Sequence, residues 1–147
     1  MTSLRLLDYS IVRAAQLYNH SDKIEIEVRY NDRCLKMRAA VVHPDDLADI
    51  MEGERYAGVL GEEYFITENV PEQYRHIVAL HEMVERTGAG HEQSTVSELQ
   101  YAEAVLTTAQ YQEYLEWRSS LSEICDQKPA ESLDDVFDRL VKHHLFF

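Results

Sequence analysis

Cysteine, proline and glycine are scarce in this chain, numbering two, three and five among 147 residues. Cys34 and Cys125 form no CxxC pair and no ligand spacing, which excludes a disulfide framework and a zinc ribbon. Both read as buried free thiols in a reducing compartment. With so little proline and glycine, no stretch reads as a linker, and there is no repeat or low-complexity tract. Residues 1–147 are therefore expected to form a single domain, long enough to bury a core without staples. Basic residues also run short, with 14 Lys and Arg against 27 Asp and Glu and a formal net charge of −13. That balance argues against nucleic acid as a partner, because phosphates demand a basic face. No apolar run approaches the roughly 18 residues of a membrane span. The opening MTSLRLLDYSIVRAAQ carries charge where a signal peptide needs an apolar core, so a cytoplasmic location is expected.

What is present points to a globular α+β domain. Hydrophobic residues make up 45% of the chain and charged residues 28%, an ordinary globular balance. Leu4, Leu7, Ile11, Ala14 and Tyr18 recur at helical spacing and predict a first helix ending near Asn19. Ile24, Ile26, Val28 and Tyr30 then alternate with charged residues. The alternation resumes at Leu35, Met37, Ala39 and Val41 after a break at Asn31-Asp32, which predicts a hairpin with one buried face. His43-Pro44-Asp45-Asp46 reads as the opening of a short helix stopped by Gly53, with His43 capping it. Arg55 to Ile66 should form two short strands turning at Gly61-Glu62. A helix from about Pro71 to Arg86 follows, stopping near Gly88. From Glu92 onward three apolar stripes predict helices: Val96, Leu99, Ala102 and Leu106; then Tyr111, Tyr114, Leu115 and Leu121; then Leu133, Val136, Phe137, Leu140 and Val141. The expected order is an N-terminal helix, a small antiparallel sheet and a mainly helical C-terminal half.

One stretch suggests chemistry. HEMVERTGAGH, from His81 to His91, places a His-Glu pair on a helix, a glycine six residues after the Glu, and a histidine three beyond that. At about 100° per residue, Ile77, Leu80, Met83 and Val84 centre the apolar arc. His81 and Glu85 fall between Ile77 and Val78 at its margin, while Arg75, Ala79, Glu82 and Arg86 lie on the other side. A carboxylate turned toward a core is costly unless it is paired or metal-bound. Something must neutralise Glu85.

The spacing resembles HExxHxxGxxH, the zinc signature of the zincin metallopeptidases, most nearly the metzincins, with Glu85 at the middle histidine. The resemblance covers these eleven residues. It implies His81 and His91 as zinc ligands, Glu82 as the general base and Gly88 as the turn that brings the last ligand back. Glu85 would take the remaining ligand position. Two histidines and a glutamate are an accepted catalytic zinc set with an open fourth position. In zincins a strand lines the cleft beside the active-site helix, and Tyr64-Phe65-Ile66 is a strand shortly before this one.

The same residues also admit a structural reading. A His and a Glu four apart on a helix can simply hydrogen-bond, and Gly88 and Gly90 suit an ordinary helix C-terminus. On that reading His91 merely begins the next helix, with Glu92 and Glu98 as solvated charges. No Glu or Asp precedes a His by three residues, which disfavours a di-iron bundle, and no P-loop, GxGxxG or GxSxG is present. His76 reads as a packed or surface histidine. Nine tyrosines and the closing Leu145-Phe146-Phe147 suit an interface, and a homodimer is expected. Two function classes stay open: a zincin-like metal-binding protein, with zinc-dependent hydrolysis of peptide bonds as its chemistry, and a non-enzymatic acidic protein that works by association.

Overall fold

The computed structural model describes residues 2–119 and 131–144. The elements run α1 (Thr2–Asn19), β1 (Asp22–Tyr30), β2 (Arg33–Val42), α2 (Pro44–Ile50), β3 (Ala57–Leu60) and β4 (Glu63–Thr67). A 3-10 turn at Glu72–Tyr74 then leads into α3 (Arg75–Arg86), α4 (His91–Val105), α5 (Thr108–Ser119) and α6 (Leu133–His144). This is the expected α+β order. Leu121, Cys125 and Leu145-Phe146-Phe147 lie outside the described residues.

The sheet order is β1-β2-β4-β3, and the sheet is mixed where an antiparallel one was expected. β2 and β4 run parallel, with Val41 opposite Ile66, while β3 pairs antiparallel with β4. The reason lies in the connection. Between β2 and β4 the chain inserts α2 and β3, and a connection holding a helix can return a strand in its original direction.

The chain forms two compact units, and neither is continuous in sequence, which is why no linker composition marks them. The first takes the residues up to Ile26 and Lys36–Arg75. In it α1 and α2 pack on β4, burying Ala14, Ala40, Val42, Leu47 and Phe65 in one cluster. Tyr18 meets Phe65 edge to face, ring centroids 6.0 Å apart, the geometry that aromatic quadrupoles favour. His43 caps α2 as expected, its Nδ1 accepting from the Asp45 amide at 3.1 Å. Gly58 sits where a Cβ would run into the sulfur of Met51.

The second unit takes Glu27–Leu35, the tip of the β1–β2 hairpin, together with the chain from His76 onward. Asn31 turns the hairpin at φ 53°, a left-handed conformation that asparagine tolerates. Tyr30 stacks on Phe137 at 5.0 Å, and Tyr101 lies against Phe137 at 5.8 Å. The Tyr101 hydroxyl donates to the Arg29 carbonyl at 3.1 Å, so a buried phenol has its partner. Arg33 reaches Asp134 at 2.8 Å and Asp138 at 2.7 Å on α6. The α6 stripe is buried as expected at Leu133, Val136, Phe137 and Leu140.

Two readings of exposure need correction. Cys34 is exposed, because β2 buries Leu35, Met37 and Ala39 and strand periodicity turns residue 34 to the other face. Helix α3 has no solvent face along its middle, since every residue from Ile77 to Val84 is buried, Ala79 and Glu82 included. No described helix is long and apolar enough to cross a membrane.

Candidate metal centre

All the polar residues of the centre belong to the second unit and stand on α3, α4 and α5. Helix α3 ends where the sequence predicts. The Gly88 amide donates to the Glu85 carbonyl at 2.9 Å, and Gly88 adopts φ 96°, a left-handed cap that favours glycine. After Ala89, Gly90 opens α4. This short turn brings α4 back so that its side chains reach those of α3. On α3, residues 81 and 85 are one turn apart; on α4, residues 91 and 98 are two turns apart and share a face. His91 therefore meets Glu85, and Glu98 meets His81.

The distances bear this out. Glu85 Oε1 accepts from His81 Nε2 at 3.1 Å and from His91 Nδ1 at 3.0 Å. The two imidazole rings lie edge to face with centroids 5.0 Å apart. Among the described residues, His81, Glu85 and His91 form the group whose donor atoms all fall within 4.8 Å of one another. The three residues expected as ligands are thus brought together. His81 is buried, Glu85 half-buried and His91 exposed, so the cluster has a closed side and a solvent side.

Behind His81 lies a contact that no spacing in the chain announces. Glu98, a solvated charge on the structural reading, is 2% exposed. Its Oε1 accepts from His81 Nδ1 at 2.7 Å. Its Oε2 accepts from Arg118 Nε at 2.8 Å and from the Tyr114 hydroxyl. Arg118 Nη2 lies 3.4 Å from Oε1. Tyr114 is fully buried and Arg118 is 8% exposed. A carboxylate this deep is tolerable only when its lone pairs are filled and its charge is matched. Tyr114 and Arg118 do both.

These contacts set the ionisation of the cluster. Burial by itself would depress His81, but hydrogen bonds to Glu85 and Glu98 and the negative charges of Glu98 and Glu82 reverse this and raise it to about 10. His81 is therefore an imidazolium near neutrality when no metal competes for it. Glu85 is lowered to about 2, chiefly by its hydrogen bond to His81 and against the effect of burial. Burial pushes Glu98 up, yet His81 and Arg118 more than offset it and hold it below the usual carboxylate range. Tyr114 is raised by burial and by the Glu98 charge, and stays a neutral donor.

Glu82, expected as the base, is 6% exposed, and its Oε2 has almost no solvent-accessible surface. It is not one of the three clustered donors, and it acts on His81 through its charge. His76 is the packed histidine of the two alternatives, its Nδ1 lying 3.1 Å from the Tyr101 hydroxyl.

Comparison of the chain with protein-family models, with curated proteins and with solved structures gives no match.

Proposed function

We propose that this chain binds a divalent transition metal, zinc in the first instance, through His81, Glu85 and His91. The observation that carries the reading is the convergence of two imidazole nitrogens and one carboxylate oxygen within 4.8 Å. Imidazole with carboxylate suits zinc, whose bonds to nitrogen and oxygen are about 2.0–2.2 Å. Glu85 Oε1 already lies within hydrogen-bond distance of both histidine nitrogens, so small rotations would let the three share such an ion. Three protein ligands would leave a fourth position for an exogenous one, and the exposure of His91 supports solvent access to the cluster.

The finer reading is a zincin-like zinc-dependent hydrolase acting on peptide bonds. Zinc in such a site supplies Lewis acidity toward water and carbonyl groups. His81 and His91 hold the ion, and the charge of Glu85 offsets part of the metal's, which favours slow chemistry over fast. Glu82 is the residue assigned to take up and return a proton.

A second reading is favoured by the hydrogen bonds themselves. Each clustered donor already has a protein partner, so His81, with Glu85 and Glu98, can serve as an ionic clamp between α3 and α4. The clamp would be purely structural in an acidic protein that works by association, as a homodimer or with another partner.

Zinc titration of the full chain, followed by metal analysis after gel filtration, separates the two readings. Stoichiometric zinc, lost in His91→Ala, supports the metal centre. His91 is the residue to change because it is exposed, so its loss leaves the fold intact. A wild-type chain that retains no zinc at micromolar concentration removes the proposal and leaves the clamp. For the finer reading, Glu82→Gln should keep zinc and abolish hydrolysis of a peptide substrate. Hydrolysis that survives takes Glu82 out of the chemistry.

A further inference from the structure

We infer that Glu98 is the positioning carboxylate of this centre: fixed by Tyr114 and Arg118, it holds the proton of His81 on Nδ1 and thereby presents the Nε2 lone pair to the metal. The inference rests on the metal reading above and adds to it a second residue of α4 and two residues of a further helix, α5.

A neutral imidazole has one N–H and one lone pair, and the hydrogen bond made at one nitrogen decides which atom is free to ligate. His81 Nδ1 faces Glu98 Oε1 at 2.7 Å, whereas Nε2 faces Glu85 Oε1 on the side where His91 also lies. If the proton sat on Nε2, two lone pairs would face each other at Nδ1 and Glu98, inside the protein and away from water. The reverse tautomer satisfies both atoms. The carboxylate cannot swing away to relieve the conflict. Arg118 holds it through Nε at 2.8 Å, and Tyr114 donates to the same oxygen. Glu98 has only acceptors to offer while ionised, so Tyr114 and Arg118 are fixed as donors, and the polarity of the whole chain of contacts runs one way.

The arrangement also determines how His81 is aimed. Tyr114 and Arg118 are one turn apart on α5 and meet the carboxylate sixteen and twenty residues from it in sequence. The ring is thus oriented from a helix that contributes no ligand. An outer carboxylate of this type is worth about ten- to a hundredfold in metal affinity.

The test is zinc competition against a chelator on the full chain, together with the ring-nitrogen NMR signals of His81. In zinc-loaded wild type, Nδ1 should carry a slowly exchanging proton and Nε2 should bear the metal shift. Glu98→Gln should bind zinc about ten- to a hundredfold more weakly, and its cobalt-loaded form should show displaced d–d bands. Tyr114→Phe removes one donor without changing any charge, and should give a smaller loss in the same direction with a shifted Nδ1 resonance. It also serves if Glu98→Gln fails to fold. Wild type that binds zinc through Nδ1, or folded variants with unchanged affinity and unchanged spectra, overturns the role of Glu98 and leaves the metal centre standing. Wild type that binds no zinc overturns the metal centre, and this inference with it.

Discussion

His81 Nδ1 and Glu98 Oε1 stand 2.7 Å apart although seventeen positions separate them in sequence, and both side chains are almost wholly buried. Helix α3 supplies the one and α4 the other, so this hydrogen bond joins the two helices at the level where the ligand candidates converge. Its far side is anchored by α5 through Arg118. The three helices thus share one buried ionic network, and the metal reading and the stability of the unit depend on the same atoms.

Removing one member of that network should be costly. Glu98→Leu takes from buried Arg118 the carboxylate it is bonded to, and Arg118→Met takes from buried Glu98 one of its two cationic partners, His81 being the other. Each single change is expected to cost up to about 3–5 kcal/mol, the usual penalty for breaking a buried ion pair by removing one partner. The double variant should lose clearly less than the sum of the two, because the second change removes the charge that the first one stranded. Urea denaturation of the four proteins in a double-mutant cycle measures this. Simple additivity would show that the two side chains do not interact.

The metal-free protein should have a defined pH window of greatest stability. His81 is raised from 6.5 to about 10, so its contribution is fully present below pH 6.5 and is lost as pH climbs toward 10. Glu85 is lowered from 4.5 to about 2, so its contribution is full above pH 4.5 and is lost as pH falls toward 2. Both are intact together between about pH 4.5 and 6.5. Melting temperature measured in the presence of a chelator should fall on both sides of that window. His81→Gln should flatten the alkaline side, and an alkaline limb unchanged by that substitution would mean that His81 is not the group responsible.

Gly88 governs how α4 returns over α3. Its φ of 96° is one that side chains resist, although nothing stands within 4 Å of where a Cβ would be. Gly88→Ala should therefore act through the backbone alone, destabilising by about 1 kcal/mol or somewhat more. If the turn relaxes to relieve the strain, His91 moves off Glu85 and zinc affinity falls as well. Denaturation and chelator competition on the same variant report the two effects separately. Gly90→Ala, at φ −69°, is the control and should change either quantity only slightly.

Much of this was legible in the residues, for identifiable reasons. The first helix, the hairpin and the His43 cap follow from local periodicity and turn chemistry, which act over a few residues. The meeting of His81, Glu85 and His91 follows from one helical turn and one glycine-bearing reversal, again local. Glu98 was not legible. Its partners Tyr114 and Arg118 come from another helix, and neither the spacing nor the composition of α4 distinguishes a buried glutamate from the exposed Glu92 on the same helix. The parallel pairing of β2 and β4 was hidden for a similar reason, since strand periodicity carries no information about direction. Cys34 is a different matter: the alternation that placed Leu35 and Met37 inside already put residue 34 outside.

Zinc binding should release protons, and the number released distinguishes His81 from the other ligands. Below pH 10 the metal must displace the proton that Glu85 and Glu98 keep on His81, whereas Glu85 is already ionised at neutral pH. Because a histidine ligates only when neutral, affinity should rise with pH in this range, by about tenfold per unit for each proton displaced. Calorimetry at pH 7.4 in two buffers of different ionisation enthalpy should give about one proton released from His81 for each zinc bound. In His81→Ala the zinc that still binds should do so weakly and without that proton. Zinc binding to wild type with no dependence on buffer would mean that His81 is already neutral, and would contradict the ionic clamp described above.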